Sequence, residues 1–147
     1  MQMQMMQGGL EIASLWSTQW PDDAESDFRF LVSSSNNYQP TPTAQFYKLY
    51  KYALNGDLVF SASEDKQIMT TAVVQNNERA FVYFLNKNDE DVNISLLLEG
   101  NEGFELMQSK VFLEPGIIES IEATIADGQL HISLPQYSLS MMEVELN

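Results

Sequence analysis

From Leu58 onward the sequence has one dominant habit. Apolar and polar residues change places at about every second position, in short runs separated by turn-forming residues. Eight runs follow one another: LVFSASE (58–64), QIMTTAVVQ (67–75), RAFVYFLNK (79–87), DVNISLLLE (91–99), FELMQSKVFL (104–113), IESIEATIA (118–126), QLHISLPQY (129–137) and SLSMMEVEL (138–146). Successive side chains of a strand point to opposite faces, so period two marks strands that bury one face. Between the runs lie NNE (76–78), NKNDED (86–91), GNEG (100–103), EPG (114–116) and ADG (126–128). Asp-Gly between alternating runs specifies a tight hairpin, because both residues tolerate positive φ. Short strands at this spacing predict a mainly β fold, an antiparallel β-sandwich of about eight strands whose sheets bury their inner faces against each other.

Upstream the pattern differs. In PTPTAQFYKLYKYALNG (40–56), Phe46, Tyr50, Ala53 and Leu54 recur at helical spacing, with Tyr47 alongside. Thr41 suits the N-cap and Pro42 the first helical position, where its missing N–H is no loss. Asn55-Gly56 ends the helix, glycine readily taking the left-handed conformation of a C-cap. This helix is expected to pack beside the sandwich. Farther upstream, LEIASLW (10–16) reads as a short strand, and residues 21–41 as a long loop interrupted by the apolar FRFLV (28–32). The opening MQMQMMQGG has no basic segment ahead of an apolar one, as an export signal would, and resembles a cut helix end.

Composition narrows the chemistry. Seven basic against 21 acidic residues give a net charge of −14, a surface that repels phosphate backbones and anionic lipid, so neither nucleic acid nor membrane is an expected partner. No cysteine is present, so disulfides and thiolate metal sites are excluded. Neither a phosphate-cradling glycine loop nor a G-x-S-x-G nucleophile elbow occurs. His131 is the single histidine, and the alternation of LHISL puts it on the face opposite Leu130, Ile132 and Leu134, toward solvent. Glu11, Asp22, Asp23 and Glu25 are carboxylates of the kind glycosidases use in pairs, but in so acidic a chain they read as a solvated loop. Two Asx-rich loops, PDDAESD (21–27) and NKNDED (86–91), are candidates for calcium, although neither has the glycine and spaced glutamate of an EF-hand. No other cofactor is expected. Asn93-Ile94-Ser95 is a formal glycosylation sequon inside a predicted strand.

The remaining candidates are Trp16 and Trp20, the only tryptophans. Aromatic faces stack on the apolar faces of sugar rings, an interaction that a negative surface does not oppose. Trp16 ends a strand and Trp20 opens a loop, where binding residues concentrate on rigid scaffolds.

Taken together, GGLEIASLW, the helix in PTPTAQFYKLYKYALNG and the closing LPQYSLSMMEVEL resemble the C-terminal end of a retaining glycoside hydrolase, a (β/α)8 barrel followed by a β-sandwich. Within that group the chain is similar to the β-agarase/porphyranase family, with arabinofuranosidase- and xylosidase-like relatives near it. The resemblance implies that residues 1–57 are a barrel end (last strand at 10–16, last helix at 42–55) and residues 58–147 the sandwich. It also implies that Trp16 belongs to a sugar subsite, that the parent enzyme is exported, and that polysaccharide is its substrate. The catalytic glutamates of such barrels lie on earlier strands, so no catalytic residue is assigned here. The expected function is a non-catalytic module supporting a barrel. The alternatives are an independent carbohydrate-binding module using Trp16 and Trp20, or a structural protein that self-associates over its barrel-end surface.

Overall fold

The computed structural model describes residues 42–53, 56–100, 103–113 and 117–147. The expected strand at 10–16, the loop at 21–41, Thr41, Leu54 and Asn55 lie outside them, as do Trp16 and Trp20. The described chain runs α1 (Pro42–Tyr50), a 3-10 turn (Lys51–Ala53), then β1 (Asp57–Val59), β2 (Ile68–Gln75), β3 (Arg79–Asn86), β4 (Val92–Leu96), β5 (Phe104–Leu113), β6 (Ile117–Ser120), β7 (Ala123–Ala126), β8 (Gln129–Leu134) and β9 (Leu139–Leu146). Six strands form one sheet in the order β1-β2-β3-β9-β5-β6, and three form a second in the order β4-β8-β7. Every described pairing is antiparallel. The fold is the expected sandwich, with the helix on its flank.

The larger sheet is buried on both faces. Its inner face meets the smaller sheet through Ala72, Val82, Phe84, Met142 and Val144, packed with Leu130, Ile132 and Leu134 of β8. Its outer face carries Phe81, Tyr83, Leu139 and Met141, covered by Leu49 and Tyr50 of α1. Strands buried on two faces lose their alternation, which is why AFVYF and MMEV read as continuous apolar runs. The smaller sheet has one wet face, and β8 alternates accordingly: Leu130, Ile132 and Leu134 are buried while Ser133 is exposed.

Three local features depart from the sequence pattern. The run LVFSASE is strand only to Val59, within β1 (Asp57–Val59). The run IESIEATIA is two strands, not one: β6 pairs with β5 in the large sheet, and β7 pairs with β8 in the small one. The chain changes sheets at Ile121-Glu122, where the Ser109 hydroxyl donates to the Ile121 carbonyl. In β5 a bulge falls between Leu106 and Gln108, and the extra residue Met107 is half exposed. Before the bulge Phe104 and Leu106 join the inner core; after it Phe112 joins the outer one. One inserted residue thus swaps which parity faces inward.

Turn chemistry sets the connections. Asp127 (φ 52°) and Gly128 (φ 74°) form the two-residue hairpin between β7 and β8 expected from ADG. Asn76 (φ 53°) and Asn77 (φ 57°) do the same work between β2 and β3, with the Glu78 N–H donating to the Gln75 carbonyl at 3.0 Å. Gly56, expected as a left-handed cap, lies against β2. It is needed for space: a Cβ there would lie 2.3 Å from Val73 Cγ1 and 3.0 Å from the Val74 carbonyl oxygen. Only glycine lets the chain leave the helix and lie directly against β2.

Asn86 ties one end of the sandwich together. Its side chain is buried, and its amide nitrogen lies 3.1, 3.1 and 2.9 Å from the carbonyl oxygens of Glu90, Leu134 and Pro135. Its two N–H groups are shared among those three acceptors, and its Oδ1 accepts from the Asn88 N–H at 2.9 Å. Replacing Asn86 with leucine strands several buried backbone groups at once. Asn86→Leu is expected to lower stability by about 2–4 kcal/mol, read as an earlier urea midpoint at unchanged m-value. By the steric argument Gly56→Ala is expected to lose about 1–3 kcal/mol in the same assay.

Candidate functional site

Three places on the described chain hold functional groups in fixed geometry. The first is the outer face of the large sheet beneath the helix. Phe46, Leu49, Tyr50 and Ala53 make the stripe that docks there, and Leu49, absent from the expected stripe, is its most buried member at 1% exposure. Tyr50 stacks on Tyr83 with centroids 5.0 Å apart and planes within 4°. Phe46 meets Phe112 edge-on at 5.8 Å, and Tyr52 stacks on Phe81 at 5.6 Å.

The helix end is also pinned by hydrogen bonds. The last carbonyls of a helix have no partner within it and must find one elsewhere. The Tyr83 hydroxyl donates to the Leu49 carbonyl at 2.9 Å, and Gln75 Nε2 donates to the Tyr52 carbonyl at 2.6 Å. Two neighbouring strands therefore cap the helix with side chains. Beyond the cap, Lys51 and Lys110 approach the Tyr52 ring at 4.6 and 5.4 Å. Burial pushes the Tyr52 phenol up, but the two ammonium groups outweigh it and hold it below its ordinary value.

Nearby, Glu143 is 7% exposed in the middle of β9. Arg79 Nη1 donates to its Oε1 at 3.3 Å, and Gln108 Nε2 donates to its Oε2. Both carboxylate oxygens are engaged, so the group is a structural anchor; glycoside hydrolysis requires a pair of carboxyl groups facing one bond. The signal for it in the sequence is a charge set between Met142 and Val144 in MMEVEL.

The second place is the outer face of the small sheet. Asn93 and Ser95 of β4, Thr124 of β7, and His131 and Ser133 of β8 line an open depression with Glu122. His131 points to this wet face, as the alternation predicted, and its Nδ1 lies 2.8 Å from Ser95 Oγ. Asn93 of the sequon is exposed here.

The third is the end of the sandwich where the NKNDED loop lies. Asn88 and Asp91 bond to the protein, while Asp89 and Glu90 are exposed: Asp91 Oδ1 accepts the Gln136 N–H at 2.9 Å, and Asn88 Nδ2 donates to Asn86 Oδ1 at 3.0 Å and reaches Asp65 Oδ2 at 3.4 Å. Among the described residues no group of three or more histidine or acidic side chains converges as metal ligands. This calcium candidate is therefore not assembled; the loop's oxygens cap backbone N–H groups. The PDDAESD candidate lies outside the described residues.

The fold recurs in solved glycoside hydrolases. The chain is similar to the catalytic domain of the family 30 xylanase C from Talaromyces cellulolyticus (TM-score 0.67, 14% identity, 82% of this chain and 27% of that one). It is similar to a family 44 xyloglucanase from Paenibacillus polymyxa (0.61, 17%, 76% and 24%). A family 51 arabinofuranosidase from Xanthomonas axonopodis pv. citri matches at 0.62, 13%, 82% and 29%. At these identities the likeness is one of fold, and it supports a glycoside-hydrolase-related fold rather than the agarase/porphyranase family in particular. The chain spans between 24% and 29% of the length of these three structures. No protein-family model and no curated protein matches the sequence.

The buried phenols make stability depend on alkaline pH. Burial first, and then repulsion from a neighbouring phenol (Tyr47 for Tyr50, Tyr50 for Tyr83), raises both tyrosines well above their ordinary value of 10.0. Above pH 10 the unfolded chain releases these protons while the folded chain keeps them. Stability is therefore whole below that pH and falls as pH rises, by up to about 1.4 kcal/mol per pH unit for each group. The urea midpoint is expected to be flat from about pH 8 to 9 and to drop steeply above 10. Tyr83→Phe is expected to lose about 1–2 kcal/mol at neutral pH, through the orphaned Leu49 carbonyl, and to shallow the alkaline drop.

Proposed function

We propose that this chain is the β-sandwich module at the C-terminal end of a polysaccharide-degrading glycoside hydrolase, and that it supports a catalytic barrel without catalysing anything itself. One observation carries the reading. The likeness to the family 30 xylanase covers 82% of this chain but 27% of the enzyme, so the shared fold accounts for a minor part of a catalytic domain. A (β/α)8 barrel needs eight parallel strands, whereas every described pairing here is antiparallel. The helix pinned to the outer face of the large sheet is consistent with a supporting role, because Pro42–Ala53 is held to the sandwich by packing and hydrogen bonds.

Under this reading Trp16 is a subsite wall of the parent barrel and acts on sugar only when the barrel is present, while Trp20 is a candidate contact by residue type alone. The parent enzyme acts outside the cell, where polymers are accessible; agarose is one substrate, and xylan and arabinan are equally consistent with the neighbours. The isolated chain is expected to unfold and refold cooperatively and to release no reducing sugar from agarose, porphyran, xylan or arabinan. Turnover that follows the protein peak through two orthogonal purification steps would overturn the reading.

A further inference from the structure

Among the described residues four that are not glycine have positive φ: Asn76, Asn77, Asp127 and Tyr137. The first three are of the types that tolerate that conformation. Tyr137, at φ 46°, is not, and for a bulky side chain such a φ is an outlier that signals strain. Its ring does not repay that strain by packing, since the residue is 67% exposed.

The backbone beneath it is fixed from several directions. The Tyr137 N–H donates to the Asn88 carbonyl at 3.1 Å, and the preceding Gln136 N–H donates to Asp91 Oδ1 at 2.9 Å. The following Ser138 hydroxyl donates to the Pro135 carbonyl at 2.6 Å, and the Ser138 carbonyl accepts the Asn86 N–H at 2.9 Å. Asn86 in turn holds the Pro135 carbonyl. The turn between β8 and β9 is thus built to hold an aromatic ring in water at a set position, in a conformation where asparagine or glycine would relax. Strain enforced by its surroundings and unused by the core is the usual mark of a functional position.

We propose that Tyr137 is a stacking platform for a neutral sugar ring, at the end of the sandwich formed by the β3–β4 loop and the β8–β9 turn. The chemistry around it selects the ligand. Exposed Asp89, Glu90 and Asp91 in the adjoining loop can accept hydrogen bonds from hydroxyl groups and repel anionic sugars. The proposal rests on the carbohydrate reading above, and it assigns this module a direct hold on the polymer, separate from Trp16 and Trp20.

The test is an amide and aromatic NMR titration of the full chain with xylohexaose and cellohexaose, with hexagalacturonate as the acidic comparison. Saturable shifts centred on Tyr137, Asn88 and Asp91 are expected with a neutral hexaose, at a Kd in the millimolar range, and none with the uronate. Tyr137→Phe is expected to bind within about threefold of wild type. Tyr137→Asn is expected to lose the shifts while keeping a Tm equal to or above wild type, since asparagine accepts the left-handed conformation. The proposal is overturned by absence of shifts at 50 mM sugar (about fifty times a 1 mM Kd), or by shifts that persist in Tyr137→Asn. A lower Tm in Tyr137→Asn, meaning that the ring packs, would also overturn it. So would concentration-dependent shifts at Tyr137 without sugar, meaning that it docks on another copy. None of these outcomes depends on catalysis, so they are separable from the result of the activity assay.

Discussion

The structure depends on the pairing of β3 with β9. These two strands are the centre of the large sheet, and both faces of each are covered. Val82 and Met142 face each other in the inner core, and Tyr83 and Met141 in the outer one. Burial on two sides removes water from both flanks of the ladder, so its backbone hydrogen bonds have no competitor and its side chains no freedom. Everything else attaches to this pair: the small sheet on one side, the helix on the other, and the edge strands laterally. A domain so organised has a rigid middle and puts its adaptable chemistry on loops and on the single wet sheet face.

That organisation bears on the functional reading. A support module must transmit position from one end to the other without bending. The helix is fixed to the sheet by ring stacking and by side chains that cap its last carbonyls, so its orientation is set by β2 and β3. Farther along β3, Asn86 locks the loop and turn that carry Tyr137. The docked helix and the Tyr137 turn are therefore both referenced to one strand.

Much of the fold was legible in the sequence, and the parts that were not share a cause. Alternation found the strands of the small sheet, because one wet face enforces period two, and it correctly put His131 outward. Asp-Gly found the β7–β8 hairpin. Pattern failed where a single residue changes the rule: the Met107 bulge reverses parity within β5, and the Ile121-Glu122 corner moves one apolar run into two sheets. Gly56 was recognised as a helix terminator, but its close approach to Val73 is a tertiary fact that no local signal encodes. The candidate site was less legible. Trp16 and Trp20 stood out by residue type but lie outside the described residues, whereas Tyr137 stands out only by its φ, which a sequence does not display. Asn86 looked like one more polar loop residue, and its value comes from three carbonyls, two of them nearly fifty positions away.

The place of β9 has a consequence for how the chain is made. β3 and β5 do not touch as neighbours; they are joined in the sheet only through Leu139–Leu146. As a ribosome delivers the polypeptide, β1–β3 and the β5–β6 hairpin emerge first, each with an open edge and apolar surface on two sides. Neither can close until the final strand inserts between them.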